Sequence, residues 1–276
     1  MIHLGLIGYP LGHSLSPKLH AAALRSCGLK GDFSLFPIHP DDKQGLKDLL
    51  ARTVSGEITG LNATIPHKQN VIQFLDELTP TTKAIGAVNT IYLKDKKLIG
   101  DNTDAQGFLT DLKPLVNPAS FRLKPSALVL GAGGSARAVV YALFNDGWQV
   151  TIAARRIEQA RQLVTSFTNC QLHIVDFTLS NIDLLNISLI VNTTPVGMTP
   201  NIDNSPWLEN LPFPAHAAVY DLVYNPRETK LVRDACSQGL HATTGLGMLI
   251  EQAALAFEIW TGHNPSKKIM FESVVE

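Results

Sequence analysis

The sequence predicts an α/β protein of two domains, and three observations lead there. Apolar runs of strand length alternate with helix-period segments along most of the chain, the pattern of an α/β layer with parallel pairing. The 276 residues are nearly two domains' worth of chain, at roughly 150 residues per domain. At 128–136 a short apolar strand runs into a glycine turn and then a helix, the local unit from which doubly wound sheets are built.

Taken in order, residues 2–7 read as a strand that stops at Gly8. Ser16-Pro17 reads as an N-cap followed by proline at the first helical position, opening a helix to about Cys27. Residues 33–38 form a second strand, 41–52 a helix and 60–64 a short strand, and Pro66 opens a helix to about Leu78. Residues 87–93 and 97–99 read as a hairpin around Lys94-Asp95-Lys96. Three prolines (Pro114, Pro118, Pro125) mark 113–126 as a connection. Beyond it the pattern gives strands at 127–130, 149–153, 172–175, 189–192 and 218–223. Helices are expected at 135–145, 156–166, 227–238, 247–261 and 266–274.

Composition narrows the function classes. Hydrophobic residues make up 45% and charged residues 17%, a globular profile. Lys and Arg number 23 against 24 Asp and Glu, a net charge of −1, so no general pull toward nucleic acid or an anionic membrane is expected. Cys27, Cys170 and Cys236 lie far apart with no CxxC pair, and the nine histidines show no ligand spacing, so neither a metal nor a disulfide framework is expected. No apolar stretch reaches the ~18 residues of a membrane span, and the first residues lack a basic leader, so the expected location is cytoplasmic.

The glycine loop is the first chemical signal. Gly131, Gly133 and Ala136 follow the spacing G-x-G-x-x-A. The first glycine permits the turn, the second lets the backbone approach a pyrophosphate, and the third small residue lets helix and strand pack closely. Gly134 and Ser135 add N–H groups at the helix start, which face an anion. No lysine follows, as an ATP-type phosphate loop would need. At the tip of the next strand the chain reads Ala154-Arg155-Arg156, with no acid until Glu158. An acid there would bind the ribose 2′-hydroxyl of NAD, whereas arginine accommodates the 2′-phosphate of NADP; NADP is the expected cofactor.

The other half carries short polar motifs. Ser14 and Ser16 place two hydroxyls at a helix start, where exposed N–H groups also suit a carboxylate. Lys68, in the first turn of its expected helix, sits unfavourably against the helix dipole, so it is either solvated or there for function. Asp104 fits as a cap for a helix from about Ala105. A lysine and an aspartate with amides and hydroxyls nearby would suit a small polyhydroxylated acid, but spacing alone does not bring them together.

In combination these segments resemble the shikimate dehydrogenase family over essentially the whole chain. The motifs run in order: GYPLGHSLSP at 8–17, LNATIPHK at 61–68, GAVNT at 86–90, GDNTD at 100–104, GAGGSA at 131–136, VNTTPVGM at 191–198, YDLVYNP at 220–226 and GLGMLIEQAA at 245–254. The resemblance implies that Ser14 and Ser16 hold a substrate carboxylate with Tyr224 nearby, and that Thr64, Asn89, Asp104 and Gln252 contact its hydroxyls, with Asn62 supporting the pocket. It implies Lys68 as proton donor and acceptor working with Asp104. Gly131, Ala132, Gly133, Gly134 and Ser135 would cradle the pyrophosphate, and Leu222 and Gly245 would line the nicotinamide. The chain departs at His20-Ala21, where the family often has His-Asn, at Ala63, often Val, and at Ala154-Arg155-Arg156, often Asn-Arg-Thr.

The implied architecture is an N-terminal α/β substrate domain, 1–106, completed by C-terminal helices at 247–276. A Rossmann-like NADP-binding domain spans 107–246, with a cleft between the two. The implied activity is reversible NADPH-dependent reduction of 3-dehydroshikimate to shikimate. The alternatives are a quinate/shikimate dehydrogenase of the same family and a catalytically silent NADP-binding regulator; Lys68, Asp104 and Gln252 argue against the second. The expected partner is a small-molecule substrate, with neither nucleic acid nor membrane, and a homodimer is left open.

Overall fold

In the computed structural model, residues 1–116, 124–165, 167, 172–179 and 182–275 are described. The chain divides into two compact units, Met1–Gly107 with Ile250–Glu276, and Phe108–Leu249.

The described part of the first unit holds a mixed sheet. Strands β1 (Ile2–Gly8), β2 (Gly31–Pro37) and β3 (Gly60–Ala63) are parallel in the order β2-β1-β3, joined by helices α1 (Ser16–Ser26) and α2 (Lys43–Val54). The Asp42 side chain caps α2 by accepting the Gly45 N–H at 2.8 Å. Purely parallel pairing ends at β3. In the hairpin that follows, β5 (Thr90–Lys94) pairs antiparallel with β3, and β6 (Lys97–Asp101) antiparallel with β5. Its two-residue turn is Asp95-Lys96, with φ of 49° and 64°, the left-handed pair that such a tight turn requires. Ile7, Leu46, Leu50, Leu61, Val88 and Ile91 form a core against one face of this sheet.

Three expectations for this unit fail, each for a physical reason. The helix expected over 66–78 is a single turn, α3 (His67–Asn70), followed by a 3-10 turn at Val71–Phe74. The chain then extends into β4 (Glu77–Leu78), because the edge of β6 offers partners: the Asp76 N–H reaches the Leu98 carbonyl at 3.0 Å, and Asp76 Oδ2 accepts the Leu98 N–H at 2.7 Å. Thr79 then caps an unforeseen helix, α4 (Pro80–Ile85). Ser16 is not the N-cap of α1. Leu15 is, since its carbonyl already accepts the Leu19 N–H at 3.1 Å; it offers no side-chain cap, and the Ser14 hydroxyl, one residue earlier, accepts the Ser16 N–H at 3.2 Å. Nor does Asp104 cap α5 (Asp104–Leu112): Asn102 Oδ1 takes the Ala105 N–H at 3.3 Å, and the Asp104 carboxylate turns elsewhere.

The second unit is a doubly wound Rossmann-like sheet. Its strands are β7 (Ser126–Leu130), β8 (Gln149–Ala153), β9 (Leu172–Val175), β10 (Leu189–Asn192), β11 (Ala218–Asp221) and β12 (Ala242–Thr244). They pair in the order β12-β11-β10-β7-β8-β9, all parallel. The order reverses between β7 and β10, the switch point beside which such sheets take their ligands. Helix α6 (Gly134–Asn145) follows β7, α7 (Ile157–Thr165) follows β8, and α8 (Lys230–Ser237) follows β11. β11 stops at Asp221, short of the expected Val223, because the Asp221 carboxylate takes the Val223 N–H at 3.0 Å. α8 begins at Lys230 rather than 227 because Thr229 caps it. Leu128, Leu130, Ile190, Val219, Trp207 and Leu231 fill the core. Helices α9 (Leu246–Thr261) and α10 (Lys267–Val275) end the chain. Among the described residues no helix is long and apolar enough to cross a membrane.

Candidate active site

Sheet direction gathers the polar motifs of the first unit. β1 and β3 are parallel with Ile7 opposite Ala63, so the segments that follow them leave the same sheet edge. β5 is antiparallel, with Thr90 opposite both Asn62 and Asp101. That edge therefore collects the residues after β1, β3 and β6 and those just before β5, where Ser14, Thr64, Lys68, Asn89 and Asp104 lie in sequence.

At its centre Lys68 Nζ donates to Asp104 Oδ2 at 2.6 Å, and the two residues are only 9% and 4% exposed. A charge pair this dry is costly to desolvate and persists where geometry and further hydrogen bonds hold it. Those bonds are present. Asn89 Nδ2 lies 2.9 Å from Asp104 Oδ1, 2.8 Å from Thr103 Oγ1 and 3.1 Å from Gln252 Oε1, three acceptors sharing two hydrogens. Asn89 Oδ1 accepts from the Thr103 N–H at 2.8 Å and the Thr90 hydroxyl at 2.9 Å. Asn62 Nδ2 donates to the Asn89 carbonyl at 2.9 Å, and the Lys68 carbonyl accepts the Val88 N–H at 2.7 Å. Lys68, Asp104, Asn89, Asn62 and Gln252 thus form one buried network. Thr90 and Thr103 belong to it too; they stand inside the GAVNT and GDNTD motifs, and their only sequence signal is a polar residue next to one already singled out.

Ser14, Ser16 and Thr64 sit at the same edge without a hydrogen bond into the network. Ser14 and Thr64 are half-buried and Ser16 is buried. His67, beside Lys68, carries no sequence signal of its own; it is 1% exposed, and its Nε2 lies 2.7 Å from the Ile38 carbonyl, tying the lysine's turn to the end of β2.

The second unit presents the glycine loop. Gly131 has φ +110°, and a Cβ there would stand 2.6 Å from Thr193 Oγ1, so only glycine fits. Gly133 caps α6 and has nothing within 4 Å of where a Cβ would be, an open approach to the backbone. Ala132 is buried, and Gly134 and Ser135 open the helix. Ala136 is fully buried, as close packing of helix on strand needs. At the tip of β8 Ala154 is 3% exposed, while Arg155 and Arg156 are exposed and border an open depression with Ile157, Glu158, Gln159 and Gln162. Glu158, the nearest acid, is paired with Arg161. An open backbone at the glycine turn and two unburied guanidiniums at the strand tip fit a dinucleotide with a 2′-phosphate. Leu222 and Gly245 are in backbone contact: a Cβ on Gly245 would lie 2.4 Å from the Leu222 carbonyl oxygen. Burial pushes the Tyr224 phenol above its ordinary pKa, so it stays protonated.

A curated relative from Shouchella clausii, "Shikimate dehydrogenase (NADP(+))", is 38% identical over 96% of this chain and 95% of its own. The chain belongs to the shikimate dehydrogenase family. Family models agree along its length: the shikimate dehydrogenase substrate binding domain matches 6–91, shikimate / quinate 5-dehydrogenase 120–219, and the shikimate 5′-dehydrogenase C-terminal domain 245–274. The Bacillus subtilis shikimate dehydrogenase (NADP(+)) is 36% identical over 98% of this chain and 95% of its own. The crystal structure of shikimate 5-dehydrogenase from Thermus thermophilus, in complex with NADP(H) and shikimate, superposes with a TM-score of 0.86 at 38% identity, covering 99% of this chain and 98% of that one.

Proposed function

We propose that this member of the shikimate dehydrogenase family catalyses 3-dehydroshikimate + NADPH + H⁺ ⇌ shikimate + NADP⁺, and that Lys68 moves the proton. The observation that carries the assignment to Lys68 is its buried 2.6 Å pair with Asp104 inside a network of amides and hydroxyls. Reduction of a carbonyl places negative charge on its oxygen. An ammonium aimed at that oxygen stabilises the charge and delivers the proton. Asp104 takes one of the three Nζ donors and so fixes the direction of the others; in the reverse reaction Nζ accepts the proton from the hydroxyl. Asn89, Gln252, Thr64 and Asp104 are assigned to the substrate hydroxyls, with Asn62 holding Asn89. Ser14 and Ser16 are assigned to the carboxylate, with Tyr224.

NADPH, when bound, supplies the hydride. Gly131 to Ser135 would receive its pyrophosphate, Arg155 and Arg156 its 2′-phosphate beside Ala154, and Leu222 and Gly245 its nicotinamide. A cytoplasmic, reducing location is supported by cysteine usage, since Cys27 and Cys236 are free thiols. The near-neutral charge argues against a nucleic-acid partner, and size-exclusion chromatography decides between monomer and homodimer.

One assay tests the reading: initial rates with shikimate or quinate against NAD⁺ or NADP⁺. The expected result is turnover of shikimate with NADP⁺ well above the other three combinations. Preferred turnover of quinate, or no shikimate-dependent NADPH formation, overturns it.

A further inference from the structure

Two motifs of the second unit, VNTTPVGM and YDLVYNP, converge on one carboxylate. Asp221, the last residue of β11, has no exposed surface. Its Oδ1 accepts from Asn192 Nδ2 at 2.8 Å and from the Val223 N–H at 3.0 Å, and its Oδ2 from the Thr229 hydroxyl at 2.7 Å. Asn192 ends the neighbouring strand β10, and its Oδ1 in turn accepts the N–H of Thr194 at 2.9 Å and its hydroxyl at 2.7 Å. Thr193 and Thr194 are the residues against which Gly131 is pressed: a Cβ on that glycine would meet Thr193 Oγ1 at 2.6 Å and Thr194 Cγ2 at 3.0 Å. On its other side, Asp221 holds the backbone that carries Leu222 and Tyr224. A further tie runs between the same two loops, from the Thr199 N–H to the Asn225 carbonyl at 3.0 Å.

We propose that Asp221, through Asn192, is a positioning residue of the cofactor site, fixing the glycine loop and the 222–224 segment at one separation. This rests on the reading that the chain takes NADP. The pyrophosphate and nicotinamide of a dinucleotide are joined covalently, so both subsites must sit at the matching distance at once. Hydrogen bonds to a buried charge are short and directional, and a buried donor deprived of its acceptor is costly. The two loops therefore share one arrangement rather than several. Burial pushes the Asp221 carboxyl up to about 6 in spite of three donors, so its charge is held out of water at a cost in stability, as expected of a group kept for geometry.

The test is NADP⁺ binding to the full chain by titration calorimetry, which needs no turnover. Asp221→Leu should raise the Kd by about tenfold or more, while Asp221→Asn, which keeps an oxygen for Asn192 and Val223, should stay within about threefold of wild type. Should the leucine variant fail to fold, Thr229→Val serves in its place against Thr229→Ser, which keeps the hydroxyl; a weaker NADP⁺ affinity in the valine variant alone supports the proposal. Unchanged affinity in the leucine and valine variants overturns it, as does equal loss in Asp221→Asn and Asp221→Leu. A wild-type chain that binds no NADP⁺ overturns both this and the functional reading, whereas a binding wild type with unaffected variants overturns this inference alone.

Discussion

Lys68 illustrates what a single residue can and cannot disclose. Its place in LNATIPHK marks it for function, and GDNTD marks Asp104, yet 36 residues separate them and nothing in their spacing brings Nζ to 2.6 Å from a carboxylate. That contact depends on β3 and β6 reaching one sheet edge across β5. Lys68→Ala should lower kcat by about 10²–10⁴, the usual range for losing a general acid–base group, and should move KM less, since the proton matters most in the transition state. Steady-state kinetics on shikimate check this, and a near-normal kcat removes Lys68 from the chemistry. The substitution also strands a buried carboxylate, so a lower melting temperature should accompany it. Arg155 and Arg156 are legible in sequence because strand-tip chemistry depends on local position. Replacing both by Ala should raise the KM for NADP⁺ by about an order of magnitude and leave NAD⁺ nearly unaffected, since each contact to a charged phosphate contributes about 1.5–3 kcal/mol before solvent screening. Equal weakening of both cofactors would make the arginines structural.

At the scale of elements, β8, β9 and β10 lie where the sequence pattern puts them, because each is a short run of mostly apolar residues, whether central and buried like β10 or at the sheet edge like β9. The stretch from 66 to 78 misleads because its helix-like pattern is overridden by the free edge of β6, a tertiary partner that no window of sequence contains. β12 escapes the sequence pattern because Ala242–Thr244 is three residues, one alanine and two threonines, too short to make an apolar run. The glycine turn, legible throughout, separates two roles that sequence treats alike. Gly131→Ala must place a Cβ at φ +110° within 2.6 Å of Thr193 Oγ1, whereas Gly133→Ala enters open space at φ −82°. Gly131→Ala should therefore cost stability, on the order of 1–3 kcal/mol. Gly133→Ala should leave thermal unfolding nearly unchanged yet weaken NADP⁺ binding by about tenfold, because its methyl would enter the open space through which the proposed pyrophosphate site is reached. Melting curves and binding titrations on the two variants check the split; matching profiles would refute it.

For the molecule as a whole, two buried titratable groups pull its acid response in opposite directions, one in each unit. His20 is fully buried, stacked on Phe33 at 4.4 Å, and burial depresses its pKa to about 3 from 6.5. The folded chain keeps it neutral while the unfolded chain protonates below 6.5, so stability falls as pH drops from 6.5 toward 3. Asp221 is raised by burial to about 6 from 3.8. Its folded form takes up a proton first, so its contribution grows as pH falls from 6 to 3.8 and is lost as pH rises through 6. Between about pH 6.5 and about pH 4.5 each effect amounts to about 2 kcal/mol, with opposite sign, and in the intact protein they largely offset. Exposed pairs such as Arg52–Glu57 are common to every variant and cancel in the differences. Acidified over that range, His20→Phe should lose about 2 kcal/mol less than wild type, because it has no buried imidazole to keep neutral, and Asp221→Asn should lose about 2 kcal/mol more. Urea unfolding at the two pH values measures both. Parallel stability curves for all three proteins would mean that these two sites do not govern the acid response, and differences of the same sign would mean that one of the two burial effects is assigned the wrong way round.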